Sequence, residues 1–191
     1  MKDPARRSCL RILAAGCTGW AGLAGWNPAG AWAAPEGAPT EVRVKAAFLY
    51  KFTGYVEWPG SAFASADTPF QFGVMGADEM ADALTEFTTG RRVNERPVVV
   101  RKLRAGDSVS GLHMLFVTHG LPMPNLPSQP GLLLVTEDEG ALNRGSVINF
   151  VLEDRRVRFE IALDAAARHD LRVSSRMLAV ASKVLGAGST P

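Results

Sequence analysis

Cysteine is almost missing from this sequence: there are two, Cys9 and Cys17, and both stand near its start. The rest of the chain therefore has no thiol for covalent catalysis, for a thiolate metal centre or for a disulfide. Histidine is nearly as scarce, with His113, His119 and His169 far apart and no H-E-x-x-H pair, which argues against a metal site. Neither a G-x-S-x-G nucleophile turn nor a phosphate-cradling glycine loop occurs, and no nucleophile stands beside a recognisable base. The expectation is a protein that is not an enzyme and holds no cofactor. Long apolar runs are lacking too, since glycines and Asn27-Pro28 break the first apolar segment short of the ~20 residues that a membrane span needs.

That first segment has the features of an export leader. Arg6, Arg7 and Arg11 form a basic front, Ile12 to Ala24 is apolar and small, and Ala31-Trp32-Ala33 before Ala34 fits a small-x-small cleavage pattern. Residues 1–33 are read as a secretory signal peptide and residues 34–41 as a short lead, with the protein exported to an oxidising compartment. Arg6-Arg7 leaves the choice between the general and the twin-arginine route open, because Cys9 stands where a bulky apolar residue is usual. Lipidation at Cys17 is disfavoured, because the apolar stretch after Arg11 is too short for an h-region.

Of the 21 basic and 19 acidic side chains, four and one respectively lie in this leader, so the remainder of the chain has net charge −1. The basic balance of the whole sequence belongs to the export signal. No basic surface suited to nucleic acid is expected on the folded part, and both cysteines leave with the leader.

The folded part begins at Val42. Val42, Val44, Phe48, Leu49, Phe52 and Val56 share one arc at helical spacing, opened by Thr40 and Glu41 and stopped by Pro59. Lys45 falls inside that arc, where an unpaired ammonium is costly. Either its stem lies on the core and its charge reaches solvent, or it pairs with a carboxylate of a neighbouring strand or a ligand. Phe70 to Gly76 reads as a strand and Asp78 to Phe87 as a helix capped by Asp78. Val98 to Leu103, Leu112 to Thr118 and Leu132 to Thr136 read as further strands, the last two apolar on successive residues, as strands covered on both faces are. Four prolines argue against a helix between His119 and Gly131. Glu137 to Asn143 suggests a helical turn. Val147 to Leu152 and Val157 to Leu163 form an antiparallel hairpin about Glu153-Asp154-Arg155-Arg156. Asp164 to His169 starts a short helix, and Ser174 caps a last one through Met177, Leu178, Val180, Ala181, Val184 and Leu185, with residues 186–191 a frayed tail. The order predicts α/β: a single three-layer domain over residues 42–185, with a mixed, mostly parallel sheet, a C-terminal antiparallel hairpin and helices on both faces.

Few polar residues stand out from this frame. Glu137, Asp138 and Glu139 follow a strand, where open α/β sheets often place ligands, although as solvated charge at a helix start they need no function, which is the preferred reading. Arg158 and Glu160 share one face of the second hairpin strand and could reach Lys45 or Asn149, or solvent. Arg176 stands in the first turn of the last helix, where the macrodipole disfavours a cation; a bound anion or carboxylate would account for it, and a plain exposed surface arginine is the preferred reading. Tyr50, Tyr55 and Trp58 lie at or beyond the edge of the apolar arc, either as core edge or as an exposed aromatic patch.

Three blocks together resemble the YfiR-like family of exported regulators. They are Val44-Lys45-Ala46-Ala47-Phe48-Leu49-Tyr50-Lys51-Phe52 with Val56-Glu57-Trp58-Pro59; Met114-Leu115-Phe116-Val117; and Gly145-Ser146-Val147-Ile148-Asn149-Phe150 through Val157-Arg158-Phe159-Glu160-Ile161 to Leu171-Arg172-Val173-Ser174-Ser175-Arg176-Met177-Leu178. The resemblance implies a periplasmic, non-enzymatic α/β protein that binds the periplasmic domain of an inner-membrane diguanylate cyclase and holds it inactive, lowering cyclic di-GMP and biofilm formation. Tyr50, Tyr55 and Trp58 are then the expected partner contacts, with Lys45, Arg158, Glu160 and Arg176 as ion-pair or ligand residues. No nucleic acid and no membrane insertion of the mature protein are implied, and a homodimer stays open. A small-ligand sensor or solute-binding module, with its pocket near His119, Thr136 and Asp138, is the rival reading. Two positions depart from the family: Leu112 stands where a cysteine is frequent, and Ala162 stands where the Phe159-Glu160-Ile161 run usually continues to asparagine.

Overall fold

The computed structural model describes residues 40–124 and 130–186. The leader of residues 1–33, most of the short lead and the tail beyond Gly186 lie outside the described residues.

Helix α1 spans Glu41–Phe52. Thr40 caps it, its Oγ1 accepting from Arg43 N at 3.3 Å, and Glu41 places a carboxylate at the positive end. The helix stops at Thr53, whose hydroxyl donates back to Tyr50 O at 2.6 Å. Val56, expected on the helical arc, instead opens strand β1 (Val56–Glu57), which pairs with β9 (Arg172–Val173). It is buried in the same core as the arc, and Gly54 with Thr53 lets the chain turn before Pro59 would force it to.

One eight-stranded sheet organises the rest. Its strands are β2 (Phe70–Met75), β3 (Arg92–Val93), β4 (Arg96–Leu103), β5 (Met114–Val117), β6 (Leu133–Thr136), β7 (Ile148–Glu153), β8 (Arg156–Ala162) and β10 (Lys183–Leu185). The order across the sheet is β10-β8-β7-β6-β5-β2-β4-β3. Neighbours from β4 to β7 run parallel, β7 and β8 are antiparallel, and β10 lies parallel to β8. The α/β class and the mixed, mostly parallel sheet are those the sequence indicates. In the hairpin, Asp154 and Arg155 both take positive φ (50° and 60°), the backbone of a two-residue turn whose twist matches its strands.

Two rows of side chains cross the sheet in register. Val74, Phe116, Val135, Ile148 and Ile161 form the first, all buried. This face is covered by α1 and by α2 (Asp78–Thr88), with Phe52 of α1 against Phe150 and Phe159 at centroid distances of 5.8 and 5.1 Å. Asp78 is the first residue of α2 and not its cap; that place is taken by Ala77, with no side-chain bond. The second row, on the other face, runs Met75, Val117, Thr136, Asn149, Glu160, Lys183 and changes from apolar to polar along its length.

The apolar end of that second face carries its own core of Met75, Leu103, Leu115, Val117, Leu132 and Leu134. No α-helix contributes to it among the described residues; Val109, Leu112, Leu121 and Met123 close it from loops. The prolines after His119 and the Gly106, Gly111 turns before His113 explain why loops rather than helices form this layer. Gly73 lets them approach, since a Cβ there would stand 2.5 Å from Leu112 Cδ1.

The chain end departs from the sequence reading. After α3 (Leu163–Arg168) and β9, helix α4 lasts only Ser175–Leu178, capped by Ser174 as expected. Beyond it the chain straightens, Ser182 N donates to Phe159 O at 2.9 Å, and Val184 and Leu185 join the sheet in β10. The apolar residues after Leu178 fit helical spacing, but the bare edge of β8 offers backbone partners that a helix there would leave unmet. Strand β3 had no sequence signal, being two residues long.

Candidate functional site

Lys45 stands in the second turn of α1, facing the carboxyl ends of the central strands, and is 8% exposed. Its Nζ donates to Glu137 Oε2 at 2.6 Å and also to Glu41 one turn earlier. Glu137 follows β6 directly. Its Oε1 accepts from Thr118 Oγ1 at 2.7 Å and from His119 N at 3.0 Å, both just past the end of β5. One carboxylate thus ties the first helix to two adjacent strands. Of the two readings of Lys45, pairing with a carboxylate beside a strand is the one observed.

The electrostatics follow from that geometry. Burial by itself would lower the Lys45 pKa, but its hydrogen bonds to Glu137 and Glu41 outweigh it and hold the ammonium above its usual range. Burial would likewise raise Glu137, and donation from Lys45, Thr118 and His119 holds it below the usual carboxylate range. Beside it, Asp138 Oδ1 meets His119 Nδ1 at 2.5 Å and Gly120 N at 3.2 Å.

A cleft of about 740 Å³ opens over this cluster, lined by Lys45, Glu137, Asp138, Glu139, Asn149 and Glu160 among others. It continues from the ends of β5 and β6 along the polar half of the second row. Glu160 and Lys183 are register partners on β8 and β10. Arg158, two residues away, points along the hairpin to Glu153 at 3.9 Å. The structure therefore brings Lys45 and Glu160 to one cleft and leaves Arg158 outside its lining. Glu41 and Glu137, the partners of Lys45, were not singled out as such from the sequence. The signals were the cation inside an apolar arc and the acidic triplet after a covered strand, but their proximity is a property of the fold.

The three aromatic candidates occupy separate surroundings. Tyr50 is half-buried against Phe87, with Arg91 near both rings, and donates to Arg92 O at 3.2 Å. Trp58 stands edge-on to Phe70 at 4.9 Å and its Nε1 donates to His113 O at 3.1 Å. Tyr55 is the exposed one, at 42%. It borders a small groove of about 190 Å³ shared with Phe48, Phe159, Met177, Val180 and Arg176. Val180, at 59%, is the other exposed large apolar residue of that groove. Arg176 lies at this groove, whose polar rim also includes Lys51.

His113, read as a lone histidine inside an apolar strand, is a packing residue with a defined tautomer. Nδ1 accepts from Gln71 N at 3.0 Å, so the proton sits on Nε2, 3.1 Å from Ala62 O. Phe63 and Phe70 stack on the ring at 4.4 and 5.1 Å. No helix among the described residues is long and apolar enough to cross a membrane.

Comparison with known proteins adds one positive finding. The family model described as YfiR/HmsC-like matches residues 42–182, which takes in α1 and nearly all of the sheet. No curated protein matches the chain.

Proposed function

The chain belongs to the YfiR/HmsC-like family, and from that premise we propose that it is an exported regulator in the periplasm that restrains an inner-membrane diguanylate cyclase. Cyclic di-GMP output, and with it biofilm formation, would fall when the regulator is bound. The observation that carries the reading is the extent of the family match, which spans the described domain and not a fragment of it. Such a regulator acts by linkage: binding only the inactive form of the cyclase shifts the receptor by the difference in affinity for its two states.

For the contact surface we propose Tyr55 and Arg176 at the exposed groove. An aromatic and an arginine beside apolar side chains are the residue types that dominate protein interfaces. Tyr50 and Trp58 do not line this groove: Tyr50 packs on Phe87 and Trp58 on Phe70. The test is a pull-down of the periplasmic domain of the cyclase encoded beside this protein, with cyclic di-GMP measured in cells. Tyr55→Ala is expected to weaken capture and raise the nucleotide while the domain stays folded. Undiminished capture would remove Tyr55 from the interface, and no capture by the unmodified protein would remove that cyclase as its partner.

The second reading, a small-ligand sensor without a cyclase partner, draws on the cleft over Lys45 and Glu137. Its size is in the range of small-molecule sites. Thermal shift against a compound panel distinguishes it: saturable stabilisation by one compound, with no cyclase captured, favours this reading.

A further inference from the structure

Strand β4 is paired along its inner side and largely bare along its outer one. Residues 98–103 meet β2 in parallel register, whereas β3 reaches only Arg96 and Pro97. Leu103 O accepts from Gly76 N at 3.1 Å, so Leu103 faces β2, and the alternation of the ladder turns the N–H and C=O groups of Val98, Val100 and Lys102 outward. Among the described residues no other strand takes them up. Unpaired main chain of this kind is a template for a further strand.

The side chains beside this edge suit one. A groove of about 360 Å³ adjoins it, lined by Val98 and Val100 of the strand and by Thr85, Thr88 and Thr89 at the end of α2. Each of these hydroxyls donates to a carbonyl of the helix, Thr85 to Ala81 at 2.7 Å and Thr88 and Thr89 to Leu84 and Thr85 at 2.8 Å. None has a proton left for an occupant, and the valines give the groove its character. On the other face of the strand Val99 is 41% exposed, open to an apolar cross-strand neighbour.

Charge selects the partner. Residues 91–104 include Arg91, Arg92, Arg96, Arg101, Lys102 and Arg104 against Glu95 alone. Asp82 pairs with Lys102, and Asp107 is turned to Arg104 N. Of the six cations, only Arg92 and Lys102 have a carboxylate within 4.0 Å among the described residues. Arg96 and Arg101 bond main-chain carbonyls, and Arg91 lies over the rings of Tyr50 and Phe87. Cations at a sheet edge deter ordinary strand pairing. A second copy joined through this edge would set the same cations against themselves, whereas a strand that brings carboxylates offsets them.

We propose that the outer edge of β4 takes up an extended acidic segment of a partner protein as a further strand. Its main chain would bond Val98, Val100 and Lys102, an apolar side chain would enter the groove, and a carboxylate would stand opposite Arg101. This surface shares no residue with the groove at Tyr55, so it stands or falls apart from the cyclase reading.

Nuclear magnetic resonance titration of the purified protein with a short peptide of alternating glutamate and valine tests it. A lysine–valine peptide and a fully N-methylated glutamate–valine peptide, which keeps the charges but loses the donors, are the controls. The expected result is saturable binding of the first peptide, about tenfold or more tighter than either control, with amide exchange slowed at Val98, Val100 and Lys102. Arg101→Gln with Arg104→Gln is expected to weaken it about threefold, and the peptide controls hold whether or not that variant folds. No saturable binding of the glutamate peptide, equal binding of a control, or saturation without change at the three amides overturns the proposal. Protection of those amides in a peptide-free dimer overturns it in favour of a second copy. Binding to phosphatidylglycerol vesicles with none to the peptide overturns it in favour of a lipid surface. In each case capture through Tyr55 keeps its own outcome.

Discussion

Lys45 of the first helix and Glu137 after the sixth strand meet at 2.6 Å, both side chains largely buried at the floor of the cleft. Neither is satisfied by the other alone, because Lys45 also holds Glu41 and Glu137 also accepts from Thr118 and His119. Breaking such a pair by removing one partner leaves a buried charge, a loss of about 3 kcal/mol. Lys45→Met and Glu137→Gln are each expected to destabilise on that scale in urea unfolding, and their double variant by less than the sum. Full additivity would show that the two residues are uncoupled.

The same pair sets a pH dependence. Glu137 is held below its usual range, so its contribution is complete above the unfolded-state value near 4.5 and is lost as pH falls through the folded one. Lys45 is held above its ordinary 10.5, so its contribution is complete below that value and lost as pH rises through the higher folded one. Urea midpoints from pH 3 to 11 should lose this share at both ends, and Glu137→Gln should flatten the acid side.

His113 adds a separate acid sensitivity. Burial pushes its pKa below the ordinary 6.5, the bond to Ala62 O opposes this, and the nearby Arg96 guanidinium adds to it. Protonation would also take the Nδ1 lone pair that accepts from Gln71 N. The unfolded chain thus binds this proton more readily than the folded one. Stability is complete above about pH 6.5 and declines as pH falls below it. His113→Leu is expected to be less stable overall but to lose this part of the slope; an unchanged slope would assign it to another group.

Trp58 and Tyr55 should separate cleanly. Trp58→Ala empties the place beside Phe70 and removes one of two donors to His113 O, the other being Leu133 N, at a cost of about 3 kcal/mol, whereas Tyr55→Ala on the surface should stay within about 0.5 kcal/mol. Thermal unfolding of the two variants measures both. A large loss for Tyr55→Ala would make it a core residue.

At the hairpin, Asp154 and Arg155 occupy left-handed backbone that asparagine and glycine adopt more readily. Replacing the pair by Asn-Gly should stabilise the domain by about 0.5–1 kcal/mol. A loss of stability would mean that the Arg155 side chain has a role that its exposure does not suggest.

Much of the sheet was legible because covered strands such as Met114–Val117 and Leu133–Thr136 are short runs apolar on successive residues and bounded by loops, the mark of burial on both faces. The hairpin was legible for the opposite reason, from alternation around a polar turn. Val180 to Leu185 was not, since its apolar spacing suits a helix and only the open edge of β8 selects the strand. The site was half legible. Lys45 stood out as a cation where none belongs, but Glu137 lies 92 residues later, and only the β6 and β5 crossovers bring it near. The sequence groups Tyr50, Tyr55 and Trp58 by closeness alone and leaves core edge and exposed patch open; the fold sends their side chains to different neighbours, with Tyr55 the exposed one.

Both ends of the large sheet are finished by very short strands, β3 of two residues and β10 of three. The first carries Arg92 and faces Pro97 in its neighbour, and the second begins with Lys183. A proline and flanking cations are poor templates for an incoming strand. Because β3 covers only Arg96 and Pro97, the outer edge of residues 98–103 of β4 pairs with β2 on one side alone, and an incoming strand would have to meet the sheet there, past the proline.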